Sequence, residues 1–108
     1  MNNLPQDLIL KNSNSIEDIY LNSVLFITRN NPQIFKFIFN EDSSSLNMPS
    51  NKILQLANNY SPREQIIIRM ALDLWDESGK TSLVDAFFYG GEELVIDFLK
   101  AIRYRTSA

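Results

Sequence analysis

The hydrophobic pattern of this chain is most continuous between Ser61 and Trp75, directly after a clear helix-start signal. Ser61 and Glu64 have the spacing of a capping box, and Pro62 stands at the first helical position, where its missing N–H costs no hydrogen bond. Polar side chains then recur at intervals of four, four and three residues: Gln65, Arg69, Asp73 and Asp76. Such spacing confines them to one narrow stripe of a helix that is otherwise apolar. The pattern predicts a central, buried helix over 62–76, which Gly79 ends.

Five weaker patterns predict the elements around this helix. Ser15 caps a first helix, the run Asn30-Asn31-Pro32 breaks it, and Pro32 starts a short second helix through about Asn40. The other predicted helices cover 51–58, 82–88 and 92–105. Together they predict a small, single-domain, all-α bundle of five or six helices. Residues 1–14 are expected to form an irregular N-terminal arm, and 15–108 one helical domain with a flexible connection at 41–50.

The segment 24–39 also permits an α+β alternative. Residues 24–28 and 34–39 are rich in β-branched and aromatic side chains, and Arg29-Asn30-Asn31-Pro32 between them has the composition of a turn. A two-stranded hairpin is only marginally stable unless another element covers it, and Asn31-Pro32 is also a good helix start. We therefore favour helices here and keep a hairpin at 24–39 as the alternative.

Composition argues against catalysis and cofactor binding. The 108 residues include no cysteine and no histidine, so the most reactive nucleophile and the usual general base are both missing. Ser78-Gly79-Lys80-Thr81 has the ending of a phosphate-binding loop, but Leu74 stands where that loop needs its first glycine. The nearby carboxylates lack the spacing of a calcium-binding loop. We expect a protein that is not an enzyme and that binds no cofactor and no metal ion.

Targeting signals are also missing from the sequence. The first ten residues have neither the basic region nor the long apolar run of a signal peptide. No apolar run approaches the ~20 residues that a membrane-spanning helix needs. Hydrophobic residues make up 44% of the chain, enough for a folded core. A folded, cytoplasmic protein is expected.

The charge of the chain is unevenly distributed. Its net charge is −3, and seven carboxylates lie from Asp73 to Asp97 with Lys80 as the only cation between them. Phe87, Phe88 and Tyr89 are consecutive on a short element, so they cannot all point inward. Aromatic side chains rimmed by carboxylates are typical of a protein contact. The predicted partner-binding residues are Asp73, Asp76, Glu77, Asp85, Phe88, Tyr89, Glu92, Glu93 and Asp97.

These residues predict a small acidic protein-binding domain, a regulator or inhibitor that docks on a basic surface of another protein. The first alternative is a self-associating subunit, a homodimer that uses the apolar face at 34–39. The second alternative is a DNA-binding regulator that uses Lys100, Arg103 and Arg105 near the C-terminus. Nucleic-acid binding is ranked last, because an acidic chain lacks the basic excess of such proteins.

Overall fold

The computed structural model describes residues 15–40 and 45–107, and the regular structure in these ranges is helical. Residues 1–14 and 41–44, which contain the predicted N-terminal arm and part of the predicted connection, lie outside the described residues. The elements are α1 (Ile16–Ile27), α2 (Pro32–Ile38), α3 (Ser50–Leu56), a 3₁₀ turn (Ala57–Asn59), α4 (Pro62–Asp76), α5 (Leu83–Asp85), a π-helical turn (Ala86–Gly90) and α6 (Gly91–Thr106). The prediction of a small all-α bundle is confirmed.

Helix α4 is the centre of the bundle, as its apolar pattern predicted. It contacts α1, α2, α3 and α6, and its side chains at 66–68, 70–72 and 74 are buried. The polar stripe is half-buried at Gln65, Arg69 and Asp73, because the loop after α4 and the carbonyl of Tyr60 lie against it. The stripe therefore faces this chain's own backbone over much of its length.

The start of α4 has the predicted capping box. The Ser61 hydroxyl accepts from the Glu64 amide at 3.3 Å, and the Glu64 carboxylate accepts from the Ser61 amide at 3.1 Å. Hydrogen bonds from Ser61, through its side chain first and its backbone second, lower the pKa of Glu64. A lowered pKa means that the folded state favours the ionised carboxylate.

Replacing Ser61 with alanine is expected to lower the free energy of unfolding by about 1 kcal/mol at neutral pH. The contribution of Glu64 is fully present above the ordinary glutamate pKa and disappears as the pH falls through its lower folded-state pKa. The difference between wild type and Ser61→Ala should therefore shrink in that acidic window. Urea unfolding at pH 7 and pH 3 measures both effects, and a difference that widens at low pH would contradict them.

Helices α1 and α6 pack antiparallel beside α4. The amide of Asn22 lies 3.3 Å from the Tyr104 hydroxyl, and the guanidinium of Arg105 lies 3.9 Å above the ring of Tyr20. Further along the pair, Arg29 binds Asp97 at 2.8 Å. The early part of α1 thus meets the late part of α6, which fixes the orientation of α6 on the core.

The segment 34–39 is part of the core, and the predicted alternative of a hairpin at 24–39 is wrong. Residues 32–38 are helical, and Ile34 and Ile38 are fully buried. The Phe39 ring stacks on Phe35 with 5.0 Å between centroids and meets Trp75 edge-on at 5.1 Å. Phe35 and Phe37 of the same segment are half-buried.

The end of α4 differs from the prediction. Glu77 ends the helix in the left-handed conformation with φ 64°, and its amide donates to the carbonyls of Leu72 and Asp73. Gly79 is required for a different reason, because a Cβ at this position would lie 1.8 Å from the carbonyl oxygen of Arg69. The prediction that Gly79 ends the helix is therefore wrong. Its missing side chain lets the loop press against α4.

Candidate protein-binding surface

An apolar patch stands on the outside of the bundle between α4 and α6. It consists of five side chains on α5 and the π-helical turn: Leu83, Val84, Phe87, Phe88 and Tyr89. Val84 is 78% exposed and Phe88 79% exposed, and the other three are exposed by 46–54%. The rings of Phe88 and Tyr89 meet edge to face, with 4.9 Å between their centroids. Five large apolar side chains exposed within seven residues form a contiguous patch of the kind that marks interaction sites.

The segment that carries the patch turns only its small residues inward. The Ser82 hydroxyl caps its first turn by accepting from the Asp85 amide at 3.3 Å. Ala86 is fully buried and Gly90 is buried. A Cβ on Gly90 would lie 2.5 Å from a methyl group of Leu94, so a side chain at this position would require Leu94 to shift. The larger side chains consequently point outward.

Two further features hold this segment in place. The Arg63 guanidinium of α4 donates a hydrogen bond to the carbonyl of Gly90. Gly91 follows with φ 85°, a conformation that favours glycine and that separates the π-helical turn from α6. The patch is thus anchored to α4 through a charged side chain and set off from α6 by a sharp change of backbone direction.

Carboxylates lie on the patch segment and directly after it. Asp85 is exposed within the patch, and Glu92 and Glu93 are exposed on the first turn of α6. Tyr89 and Asp85 also line a cleft of about 430 Å³, together with Arg69 and Lys80. Carboxylates therefore lie beside the patch at Asp85, Glu92 and Glu93, and the cleft that Asp85 lines also contains cations.

The structure brings five of the nine predicted residues to this surface: Asp85, Phe88, Tyr89, Glu92 and Glu93. The other four are engaged within the chain. The Asp73 carboxylate accepts from the amides and one hydroxyl of the loop at 79–81, and Asp76 accepts from Ser78. Glu77 lies 3.6 Å from Arg105, and Asp97 binds Arg29. We do not include these four carboxylates in the proposed contact.

The basic C-terminal residues do not form one uniform surface. Lys100 and Arg103 are exposed, whereas Arg105 donates to the carbonyl of Leu74 and covers the ring of Tyr20. Across residues 15–40 and 45–107, no group of three or more carboxylate, histidine or cysteine side chains is placed to hold a metal ion. Within the same ranges no helix has the length and apolar character needed to cross a bilayer.

Sequence reasoning identified only part of this surface. It predicted at least one exposed ring among Phe87, Phe88 and Tyr89, and all three are exposed. It missed Leu83 and Val84, although one signal was available: Ala86 and Gly90 are the only small residues of 83–90, where every other residue except Asp85 is large and apolar. Comparisons with protein-family models, curated proteins and solved structures gave no match.

Proposed function

We propose that this protein binds another protein through the apolar patch, with Asp85, Glu92 and Glu93 at its acidic edge. The exposure of Val84 and Phe88, 78% and 79%, is the observation that carries the proposal. Burying one such side chain is favourable by about 1.5–3 kcal/mol, so water is a poor environment for five of them together. A partner that covers the patch supplies the missing burial.

The charges beside the patch define the kind of partner. Its surface has an apolar groove for the rings of Phe88 and Tyr89, flanked by lysine or arginine side chains that face Asp85, Glu92 and Glu93. Complementary charge speeds the encounter and fixes the orientation, while burial of the apolar side chains supplies most of the affinity. A protein whose working surface is basic would be blocked by this contact, so the chain would act as its inhibitor or regulator.

The firm anchoring of the patch also favours binding. Ala86, Gly90 and the hydrogen bond from Arg63 to Gly90 hold the segment in one position before any partner arrives. A surface that is already ordered loses little conformational freedom on binding, and this raises the affinity obtained from a given area.

The Val84→Ser/Phe88→Ser double variant is expected to bind the partner about 100-fold more weakly, because two anchoring side chains lose their burial. Its thermal unfolding should be unchanged, since both side chains are exposed in the free protein. The matched control is Ile16→Ser, which replaces an aliphatic side chain that is 60% exposed at the start of α1. Affinity capture from the native host identifies the partner, and calorimetric titration of that partner gives the dissociation constants.

A second variant tests the role of charge in the same experiment. Asp85→Lys/Glu93→Lys should slow association by about tenfold at low salt, and the difference should disappear at high salt. If the captured protein binds wild type and Val84→Ser/Phe88→Ser equally, it does not use the patch and the proposal fails. If charge reversal has no effect at any salt concentration, the partner surface is not basic.

A further inference from the structure

The outer face of α6 carries a second, separate pattern. Its exposed residues Glu92, Ile96, Leu99 and Arg103 lie opposite the side that packs on the core, where Leu94, Val95, Phe98 and Ala101 are buried. Ile96 is 43% exposed and Leu99 is 47% exposed. Spacings of four, three and four residues place the outer four on a single stripe along the helix.

The stripe is symmetric about its midpoint in the type of residue, except that the charged residues at its two ends have opposite signs. Ile96 and Leu99 lie at equal distances from the midpoint between residues 97 and 98, and so do Glu92 and Arg103. A two-fold axis through that midpoint would place Ile96 of one copy against Leu99 of another. It would also place Glu92 of each copy beside Arg103 of the other. Contacts of this self-complementary kind are the ones from which two-fold dimers are built.

We infer that a second copy of this chain packs on the outer face of α6, with the two α6 helices antiparallel. Charge selects this orientation, because a parallel pair would oppose Glu92 to Glu92 and Arg103 to Arg103. Neighbouring charges agree with it, since Glu93 lies at the acidic end of the exposed surface and Lys100 towards the basic end. The contact between the two α6 helices, called the seam below, consists of Glu92, Ile96, Leu99 and Arg103 of each copy. Its spacing of four and three residues is the one at which the side chains of two helices interlock.

The small size of this contact limits the affinity of the dimer. Each copy contributes two half-exposed aliphatic side chains and two charges, far fewer than the roughly 20–30 residues per side of a standard stable interface. The dimer is therefore expected to be weak. Its contact residues include none of the five apolar side chains of the patch, and they share only Glu92 with the acidic edge of the patch.

Sedimentation velocity of the full chain from 5 to 500 μM tests the inference. Wild type should change from monomer to dimer across this range. Ile96→Ser/Leu99→Ser should remain monomeric, whereas the patch variant Val84→Ser/Phe88→Ser should dimerise like wild type. A wild type that is monomeric at every concentration overturns the inference. So does a dimer that the patch variant abolishes and the α6 variant leaves intact, since a second copy would then be using the patch.

Charge exchange tests the antiparallel orientation independently of stability. Glu92→Arg and Arg103→Glu should each dimerise at least tenfold more weakly, because each places like charges at both ends of the seam. An equimolar mixture of the two variants should recover dimerisation, because every charged pair between the unlike copies is then complementary. Circular dichroism of each variant checks that the helices are kept. A mixture no more dimeric than its components overturns the antiparallel arrangement.

Discussion

The Asp73→Ala variant is expected to lower the free energy of unfolding by about 2–3 kcal/mol. The Asp73 carboxylate accepts hydrogen bonds from the amides of Gly79 at 2.8 Å, Lys80 at 3.0 Å and Thr81 at 3.0 Å. It accepts a fourth from the Thr81 hydroxyl at 2.6 Å. Alanine leaves all four donors without this acceptor in a half-buried loop. Urea unfolding followed by circular dichroism measures the loss.

Thr81→Val is the matched control for this prediction. It keeps the shape of the side chain and removes only the hydroxyl donor, so the expected loss is about 1 kcal/mol. Asp73→Asn should fall between the two, because its amide retains one acceptor oxygen. Equal losses for Asp73→Ala and Thr81→Val would mean that the carboxylate does not organise the loop.

Gly79→Ala is expected to lower the free energy of unfolding by about 2 kcal/mol. The added Cβ would meet the carbonyl oxygen of Arg69 at 1.8 Å, and this oxygen belongs to the backbone of the central helix. Only the loop can move, and moving it stretches the hydrogen bond of 2.9 Å from the Arg69 guanidinium to the Gly79 carbonyl. Thermal unfolding should show a lower midpoint with no change of helix content at 25 °C.

Glu77→Gly supplies the contrasting control in the same loop. Glu77 has φ 64°, which a residue with a Cβ adopts at a cost of about 1 kcal/mol, and glycine removes that cost. Glycine also removes the ion pair between Glu77 and Arg105, whose charged atoms lie 3.6 Å apart. The Glu77 side chain is 79% exposed, and ion pairs at such exposed positions contribute little to stability. The two variants should therefore change stability in opposite directions. A Gly79→Ala variant as stable as wild type would contradict the close approach of loop and helix.

The central helix could be predicted from sequence because its signals are local. Ser61, Pro62 and Glu64 act within four residues of one another, and their capping box forms as predicted. The end of the helix could not be predicted in the same way. It depends on Asp73, which reaches six to eight residues ahead and holds the loop so that Glu77 takes the left-handed turn. A sequence pattern that assigns this conformation to the nearest glycine misses such a constraint.

The candidate surface was only partly predictable for a related reason. Pattern rules assign large apolar residues to the core, yet at 83–89 only Ala86 is buried and the five large apolar side chains are exposed. The acidic positions were predicted to face a partner, but some of them are engaged within the chain. Asp97 binds Arg29, 68 positions earlier in the chain, and the sequence does not reveal a partner at that separation. Knowing the tertiary packing is therefore what distinguishes carboxylates engaged within the chain from those at the patch.

The inward side of the patch segment limits what the free protein can do with its exposed rings. The Gly90 backbone rests against Leu94, the Ala86 methyl group is buried, and the segment packs on α4 and α6, so turning Phe87 or Phe88 inward would require the segment to leave this packing. In the described structure the rings are exposed before any partner arrives, so the occupied fraction of this surface should follow the concentration of the partner that covers it.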